Sequence, residues 1–203
     1  MNEPSKQQDY DPATVRSGQL KAAALFAIAI IPVLVATLMF FTGWGVPGAT
    51  SNKGDLVPGG TLATDLGLVN EEGESLQGLF LDNNDNATWW LVVVADECNQ
   101  ACEDMVFLTR QVHISLNRQS NRLSRAFHAT DMDEVDLSEH PRLSLWQREN
   151  GPVTLPEGVS PADGPYAYII DPIGNLVMRY DSSHAGRDML DDLKHLFKVS
   201  PLG

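Results

Sequence analysis

The chain has 203 residues, and its 14 basic and 27 acidic side chains give a net charge of −13 at pH 7. This length accommodates one domain of ordinary size plus an appendage, because single cores usually occupy roughly 100 to 200 residues. Beyond residue 41 there are 11 basic and 24 acidic residues, so that part carries all the excess charge. The balance argues against nucleic acid as a partner, since binding a polyphosphate requires positive charge. Metal cations and basic protein surfaces remain as partners, and solubility alone remains as a simpler role for the charge.

An uncharged apolar run extends from Ala22 to Phe41. As a helix it would span about 30 Å, the hydrocarbon thickness of a bilayer. It is longer than the roughly 7 to 15 apolar residues of a signal peptide, and no A-x-A-like cleavage site follows, so we predict a permanent anchor at 22–41. Arg16 and Lys21 precede the run, whereas the first basic residue after it is Lys53. This asymmetry predicts a cytoplasmic tail at 1–21 and export of the rest.

Residues 42–60 are rich in Gly, Pro, Ser and Thr and are predicted to form a flexible linker. The folded domain is therefore expected at 61–203. Its first element is a short strand at Leu76–Leu81. Trp89–Ala95, a continuous apolar and β-branched run, is typical of a central strand buried on both faces of a sheet.

A helix is predicted after this strand, up to about Asn117, from apolar residues at helical spacing. Ser124–Thr130 could be a second parallel strand, joined through that helix by a right-handed crossover. Tyr166–Ile170 and Asn175–Tyr180 predict a hairpin around an Asp-Pro-Ile-Gly turn. A C-terminal helix follows, marked by Leu190, Leu193, Leu196 and Phe197, with Ser182 or Ser183 as its cap. The order predicts an α/β domain with a mixed sheet flanked by helices.

The chain has two cysteines, Cys98 and Cys102, directly behind the buried strand. A structural disulfide would close a loop of five residues and stabilise by only about 2 kcal/mol. On a regular helix the two Cβ atoms would be about 5 to 6 Å apart, whereas a disulfide needs about 3.8 Å. A bridging soft metal therefore fits a helical pair better, unless Cys98 precedes the first turn. Cys102 is in phase with Met105 and is expected to be the more buried of the two.

Four carboxylates surround the pair: Asp96, Glu97, Glu103 and Asp104. A helix N-terminus stabilises a thiolate, but these negative charges oppose it. The same carboxylates attract a cation, and thiolates select soft ions such as Cu(I). The pattern favours metal traffic over vigorous disulfide exchange.

The anchor, the apolar strand, the C-x-x-x-C pair, the hairpin turn and the final helix together resemble the Sco family. This resemblance implies a thioredoxin-like fold and a role in the assembly of cytochrome c oxidase, in which the dithiol delivers copper or electrons to the dinuclear copper site. It implies as partner the oxidase copper-site subunit or another assembly protein. It also implies a bacterial inner-membrane protein whose domain faces the periplasm.

The hairpin entrance differs from the Sco pattern. The family's copper-binding histidine lies about nine residues before the turn proline, and here that position is Asp163. His184, which the predicted topology brings to the cysteine side of the sheet, is the replacement candidate for the third ligand beside Cys98 and Cys102. Pro165 could instead be the cis-proline found beside many thioredoxin-fold dithiols. His128 is a weaker candidate ligand, and His113, His140 and His195 are interpreted as surface residues.

The leading hypothesis is therefore a membrane-anchored Sco-like assembly factor that uses Cys98 and Cys102 as a redox dithiol or as copper ligands. One alternative is a general extracytoplasmic thiol–disulfide oxidoreductase with broader substrates. Another is a non-catalytic, membrane-tethered scaffold that binds an oxidase subunit through its acidic surface.

Overall fold

The computed structural model of the protein describes residues 12–42, 51–80, 86–132, 136, 138–151, 153–156 and 159–202. The chain divides into two compact units, Met1–Thr50 and Ser51–Gly203. Residues 1–11 of the predicted tail and 43–50 of the predicted linker lie outside the described residues.

The described residues of the first unit form one helix, α1 (Pro12–Thr42). Within it, Gly18–Thr42 is long and apolar enough to cross a membrane, as judged by length and composition. The predicted span at 22–41 lies inside this stretch. The hydroxyl of Thr37 donates to the Val33 carbonyl at 2.8 Å, which keeps a polar group on an apolar helix hydrogen-bonded.

The second unit is built on a six-stranded sheet. Its strands are β1 (Asp55–Leu56), β3 (Trp89–Val94), β4 (Leu123–His128), β5 (Leu143–Leu145), β7 (Tyr166–Ile170) and β8 (Leu176–Tyr180). They lie in the order β1-β8-β7-β3-β4-β5. β3 is parallel to β4 and antiparallel to β7, so the sheet is mixed, as predicted. A separate pair, β2 (Leu68–Val69) and β6 (Gln147–Arg148), is antiparallel.

Both faces of the central strand are buried, and each packs into its own hydrophobic cluster. Leu91 and Val93 face the cluster that contains α2 (Gln100–Ser115) and α3 (Gly186–Val199). Trp90, Val92 and Val94 face the opposite cluster, which includes Trp146. All six residues of β3 are buried, which explains why the strand is continuously apolar rather than alternating.

Three local predictions differ from the structure. Leu76–Leu79 is a short 3-10 helix and not a strand, because the Ser75 hydroxyl accepts the Gln77 N–H and starts a tight turn; Leu81 lies outside the described residues. β1 lies inside the segment predicted as a linker, and it pairs with β8 of the sheet. Residues 51–60 therefore belong to the second compact unit.

The third difference is the cap of α3. The helix begins after Ala185, whose N–H donates to the Asp188 carboxylate at 3.0 Å. Ser183 is occupied elsewhere, since its N–H and hydroxyl both donate to Asp181. Neither predicted serine therefore caps the helix.

Candidate functional site

The cysteine pair lies where the central strand passes into α2. Asn99 is the N-cap of that helix, and its Oδ1 accepts hydrogen bonds from the N–H groups of Ala101 (3.0 Å) and Cys102 (3.3 Å). Cys98 precedes the cap with its chain outside the helix, and Cys102 is in the first turn. The arrangement follows from asparagine's preference for the N-cap position, where its side chain satisfies otherwise unpaired N–H groups.

Cys98 and Cys102 are joined in a disulfide, with their Cα atoms 5.1 Å apart. This separation lies within the usual range for a bridge. The sequence allows a disulfide only if Cys98 precedes the first helical turn, and this condition is met. Because Cys98 lies outside the helix, the pair can close a disulfide that two helical cysteines at this spacing could not. Cys102 is fully buried, and Cys98 is partly exposed. The difference in burial agrees with the phase of Cys102 relative to Met105.

A carboxylate that the sequence analysis missed holds Cys98 in place. The Cys98 N–H donates to both oxygens of Asp131, at 2.8 and 3.0 Å. The loops after β3 and β4 are further joined by a hydrogen bond from the Thr130 N–H to the Asp96 carbonyl at 2.8 Å. Parallel strands end at the same edge of a sheet, so residues just past His128 could have been placed beside Cys98 from the predicted topology alone.

The rim of the disulfide is acidic. Asp96, Glu97, Glu103 and Asp104 are all exposed, and Asp131 adds a fifth carboxylate beside the Cys98 backbone. Among the described residues none of the five forms an ion pair with a basic side chain. Their summed field disfavours a thiolate on Cys98 and attracts cations or basic groups to this edge.

The loop before β7 lies against the same edge. Gly164 and Pro165 line a cleft together with Asp96, Glu97 and Asn99. Asp163, the position where the Sco resemblance expects a histidine, is exposed, and its carboxylate accepts the Ser160 N–H at 3.2 Å. None of the described peptide bonds is cis, so Pro165 follows a trans bond and does not serve as a cis-proline here.

His184 follows β8, which ends at the cysteine edge of the sheet because Tyr180 pairs with Ala167. Its Nδ1 lies 2.9 Å from an oxygen of Asp181, and its ring meets Tyr180 edge-on at 5.5 Å. Within the described part of the chain no group of three His, Cys, Asp or Glu side chains is arranged to hold a metal ion. Among the described residues His184 and the two disulfide-bonded sulfurs do not form such a group, and a copper-ligand role for His184 stays a prediction.

None of the other histidines belongs to a group of metal ligands among the described residues. His128 is buried, and its Nδ1 lies 2.8 Å from the Trp146 carbonyl, so it donates there in its neutral form. Burial, with a contribution from Arg148, lowers the pKa of His128. His113 and His140 are half-buried rather than fully exposed, whereas His195 is exposed as predicted.

The chain was compared with curated protein sequences and with solved structures. No curated protein sequence matches the chain. Among solved structures, copper-bound ScoI of Arabidopsis thaliana is 15% identical with a TM-score of 0.48, over 66% of this chain and 96% of that one. Apo Sco1 of Thermus thermophilus is 14% identical with a TM-score of 0.49, over 73% and 99%. A SCO1/SenC family lipoprotein of Bacillus anthracis is 15% identical with a TM-score of 0.41, over 64% and 91%.

The family model described as "transmembrane-like, thioredoxin-like, C-terminal domain" matches residues 89–200, from the central strand through α3. The match covers more than half of the chain and includes both cysteines, the hairpin and the final helix. The chain belongs to this family of transmembrane-like, thioredoxin-like domains.

Proposed function

We propose that the protein is a membrane-anchored, Sco-like assembly factor of a haem-copper oxidase that acts on the oxidase copper-site subunit through Cys98 and Cys102. The observation that carries the proposal is the placement of the pair: a partly exposed Cys98 before the helix cap and a buried Cys102 one turn later. The motif and its setting resemble those of the Sco family. The apolar helix at Gly18–Thr42 supports a single-pass anchor, and the basic residues before it support a periplasmic domain at a bacterial inner membrane.

A partly exposed Cys98 beside a buried Cys102 is the geometry of an attacking and a resolving thiol, which favours thiol–disulfide exchange. The acidic rim opposes it by lowering the fraction of Cys98 that is present as thiolate. In the reduced protein, the Cys98 thiolate attacks one sulfur of a disulfide between the partner's copper-site cysteines, and the released partner thiolate takes up a proton. The buried Cys102, after losing its proton, then attacks Cys98 and releases the second partner thiol. Two electrons pass to the partner, whose cysteines become available to copper, and Cys98–Cys102 is left as the disulfide. A second dithiol protein of the same compartment would restore the reduced form.

Copper carriage is the second candidate function, and it is favoured by the soft sulfur donors and by the negative charge of the carboxylates around them. Two thiolates are suitable donors for Cu(I), and the acidic rim attracts cations to them. Asp163 occupies the position of the family's copper-binding histidine, and no group of three metal ligands is present among the described residues of the disulfide form. The site therefore fits Cu(I) in donor type but supplies two donors rather than three.

Replacement of the cysteines tests the role in oxidase assembly, which both candidate chemistries share. In cells that make a haem-copper oxidase, Cys98→Ser and Cys102→Ser are each expected to lower the copper content and activity of the assembled oxidase. Ser115→Ala, an exposed change at the far end of α2, is the matched control. Unchanged oxidase copper content in both cysteine variants would contradict the proposal and leave a scaffold role through the acidic surface.

An anaerobic Cu(I) titration separates the two chemistries. The reduced soluble part, residues 44–203, is compared with its Cys98→Ser and His184→Ala variants. Tight one-to-one binding that is lost in Cys98→Ser supports copper carriage, and the histidine variant then decides the third ligand. Absence of binding by the folded, reduced protein supports dithiol reduction. Reduction of many unrelated disulfides at comparable rates would instead favour a general oxidoreductase.

A further inference from the structure

A second cleft, of about 560 Å³, lies at the end of the domain opposite to the cysteines. It is lined by the amino end of β4, the start of β5 and the carboxyl end of α2. His113, one of its lining residues, is 11 positions beyond Cys102, which corresponds to roughly 16 Å along the helix axis. The cleft is therefore separate from the site proposed above, and its volume is typical of small-molecule sites.

The cleft is basic although the domain as a whole is strongly acidic. Arg125, Arg142 and His113 line it, and Glu71 is the single carboxylate among its lining residues. Arg110 lies close enough for its charge to act on Arg125. In the part of the chain that the structure describes, none of these three arginines forms an ion pair. A group of unneutralised cations in a protein of charge −13 is a feature that solubility does not explain.

Arg125 carries the strongest evidence for a ligand. Only 4% of the residue is exposed, its Nη2 donates to the Pro141 carbonyl at 3.1 Å, and its buried Nη1 has no hydrogen-bond partner among the described residues. The indole N–H of Trp90, which also lines the cleft and is 8% exposed, lacks a partner as well. Buried donors of this kind are costly unless an acceptor satisfies them, and an arginine donor calls for an anionic one.

The backbone at the mouth of the cleft is strained. Arg142 has φ of 61°, a left-handed conformation that a residue with a long side chain rarely adopts because it is energetically costly. This conformation places a second arginine at the cleft beside the buried one. Burial and the charges of Arg125 and Arg142 lower the pKa of His113, as expected where positive charges face one another without a counterion.

We propose that this cleft binds the phosphate group of a larger organic molecule, held by Arg125 and Arg142. Guanidinium groups match phosphate in charge and in hydrogen-bond geometry, and hydroxyl and indole groups line the rest of the cleft. The phosphate can belong to a soluble metabolite or to the headgroup of an anionic lipid. The proposal goes beyond the function proposed for the cysteines and does not depend on it.

Phosphate titration of the full chain in an uncharged detergent tests the proposal, with the ring resonances of His113 as the readout. Saturable binding is expected, together with a rise in the His113 pKa as phosphate offsets the arginine charges. Arg142→Gln should weaken binding about tenfold or more. Glu71→Gln should tighten it, because a repelling carboxylate is removed while the amide oxygen can still accept the Leu145 N–H. Arg118→Gln, an exposed change outside the cleft, should have no effect.

The lipid source is tested with the full chain in nanodiscs of phosphatidylcholine, with and without phosphatidylglycerol and without added phosphate. A His113 response to phosphatidylglycerol that Arg142→Gln abolishes assigns the phosphate to a lipid headgroup. A response to inorganic phosphate in detergent, with none to phosphatidylglycerol in nanodiscs, assigns it to a soluble molecule. No saturable response in either setting overturns the proposal. Equal weakening by Arg118→Gln and Arg142→Gln also overturns it, because the effect would then be one of net charge. Near-ultraviolet circular dichroism establishes that each variant is folded.

Discussion

Reduction of the Cys98–Cys102 disulfide is expected to weaken the domain without unfolding it. The two cysteines are only four positions apart in sequence, so the closed loop is short. In the chain-entropy model such a loop contributes about 2 kcal/mol. Domains of this size have a total free energy of unfolding of about 5–15 kcal/mol, so most of the stability is expected to remain after reduction.

Contacts that do not involve the sulfur bond support the same expectation. Asn99 caps α2, and Asp131 accepts the Cys98 N–H, whether or not the sulfurs are joined. Cys102 remains packed in the hydrophobic cluster beside α2 and α3. A loss of about 2 kcal/mol in a domain of roughly 150 residues corresponds to a fall of about 4–8 °C in Tm.

Urea unfolding of residues 51–203, followed by tryptophan fluorescence, measures this difference. Trp89, Trp90 and Trp146 are all buried, so their emission reports on both clusters. The oxidised and reduced forms are compared, with Cys98→Ser as a control that should not respond to reductant. Unfolding of the domain on reduction, or a loss above about 5 kcal/mol, would show that the bridge is a structural staple and would refute the reasoning for a redox couple.

Three further predictions concern the stability of the domain. Asn99→Ala should lower the free energy of unfolding by about 1 kcal/mol and Asn99→Asp by much less, since aspartate also caps; equal losses in urea titrations would contradict the capping role. Asp192→Ala should cost about 3 kcal/mol or more, because the buried carboxylate accepts the N–H groups of Lys53 and Gly54 and the hydroxyl of Tyr180; a change below about 1 kcal/mol would contradict this. Burial lowers the pKa of His128, so as pH falls below about 6.5 this histidine takes up a proton in the unfolded chain before it does so in the folded one, and the free energy of unfolding should decrease. His128→Asn should reduce this dependence of the free energy of unfolding on pH. An unchanged pH dependence in the variant would contradict the prediction.

The elements nearest the cysteines could be predicted because their sequence signals are local and strong. Trp89–Val94 is uninterrupted and apolar, and Tyr166–Ile170 matches its predicted strand at both ends. The deeper burial of Cys102 could be predicted because Cys102 lies on the same helix face as Met105, three positions further along. The position of Cys98 before the cap depended on Asn99, a residue whose N-cap preference is readable from the sequence.

The remaining features depend on contacts distant in sequence. β1 has only two residues, and its segment is held by pairing with β8 and by the Asp192 carboxylate, which accepts N–H groups more than 130 positions away. Asp131 reaches Cys98 only because β3 and β4 are parallel. The alternative of a cis-proline at Pro165 does not hold among the described peptide bonds, and a proline's sequence position does not determine its isomer without the surrounding fold.

Mixed-disulfide trapping tests the proposed exchange most directly. Cys102→Ser leaves the accessible Cys98 without its resolving partner, so the full chain in oxidase-producing cells is expected to accumulate a reducible cross-link to the oxidase copper-site subunit. Cys98→Ser, in which the remaining sulfur is buried, should not form this cross-link. A cross-link in Cys102→Ser that is absent from Cys98→Ser is the predicted result. No cross-link in either variant, or an equal one in both, would contradict the proposed role of Cys98.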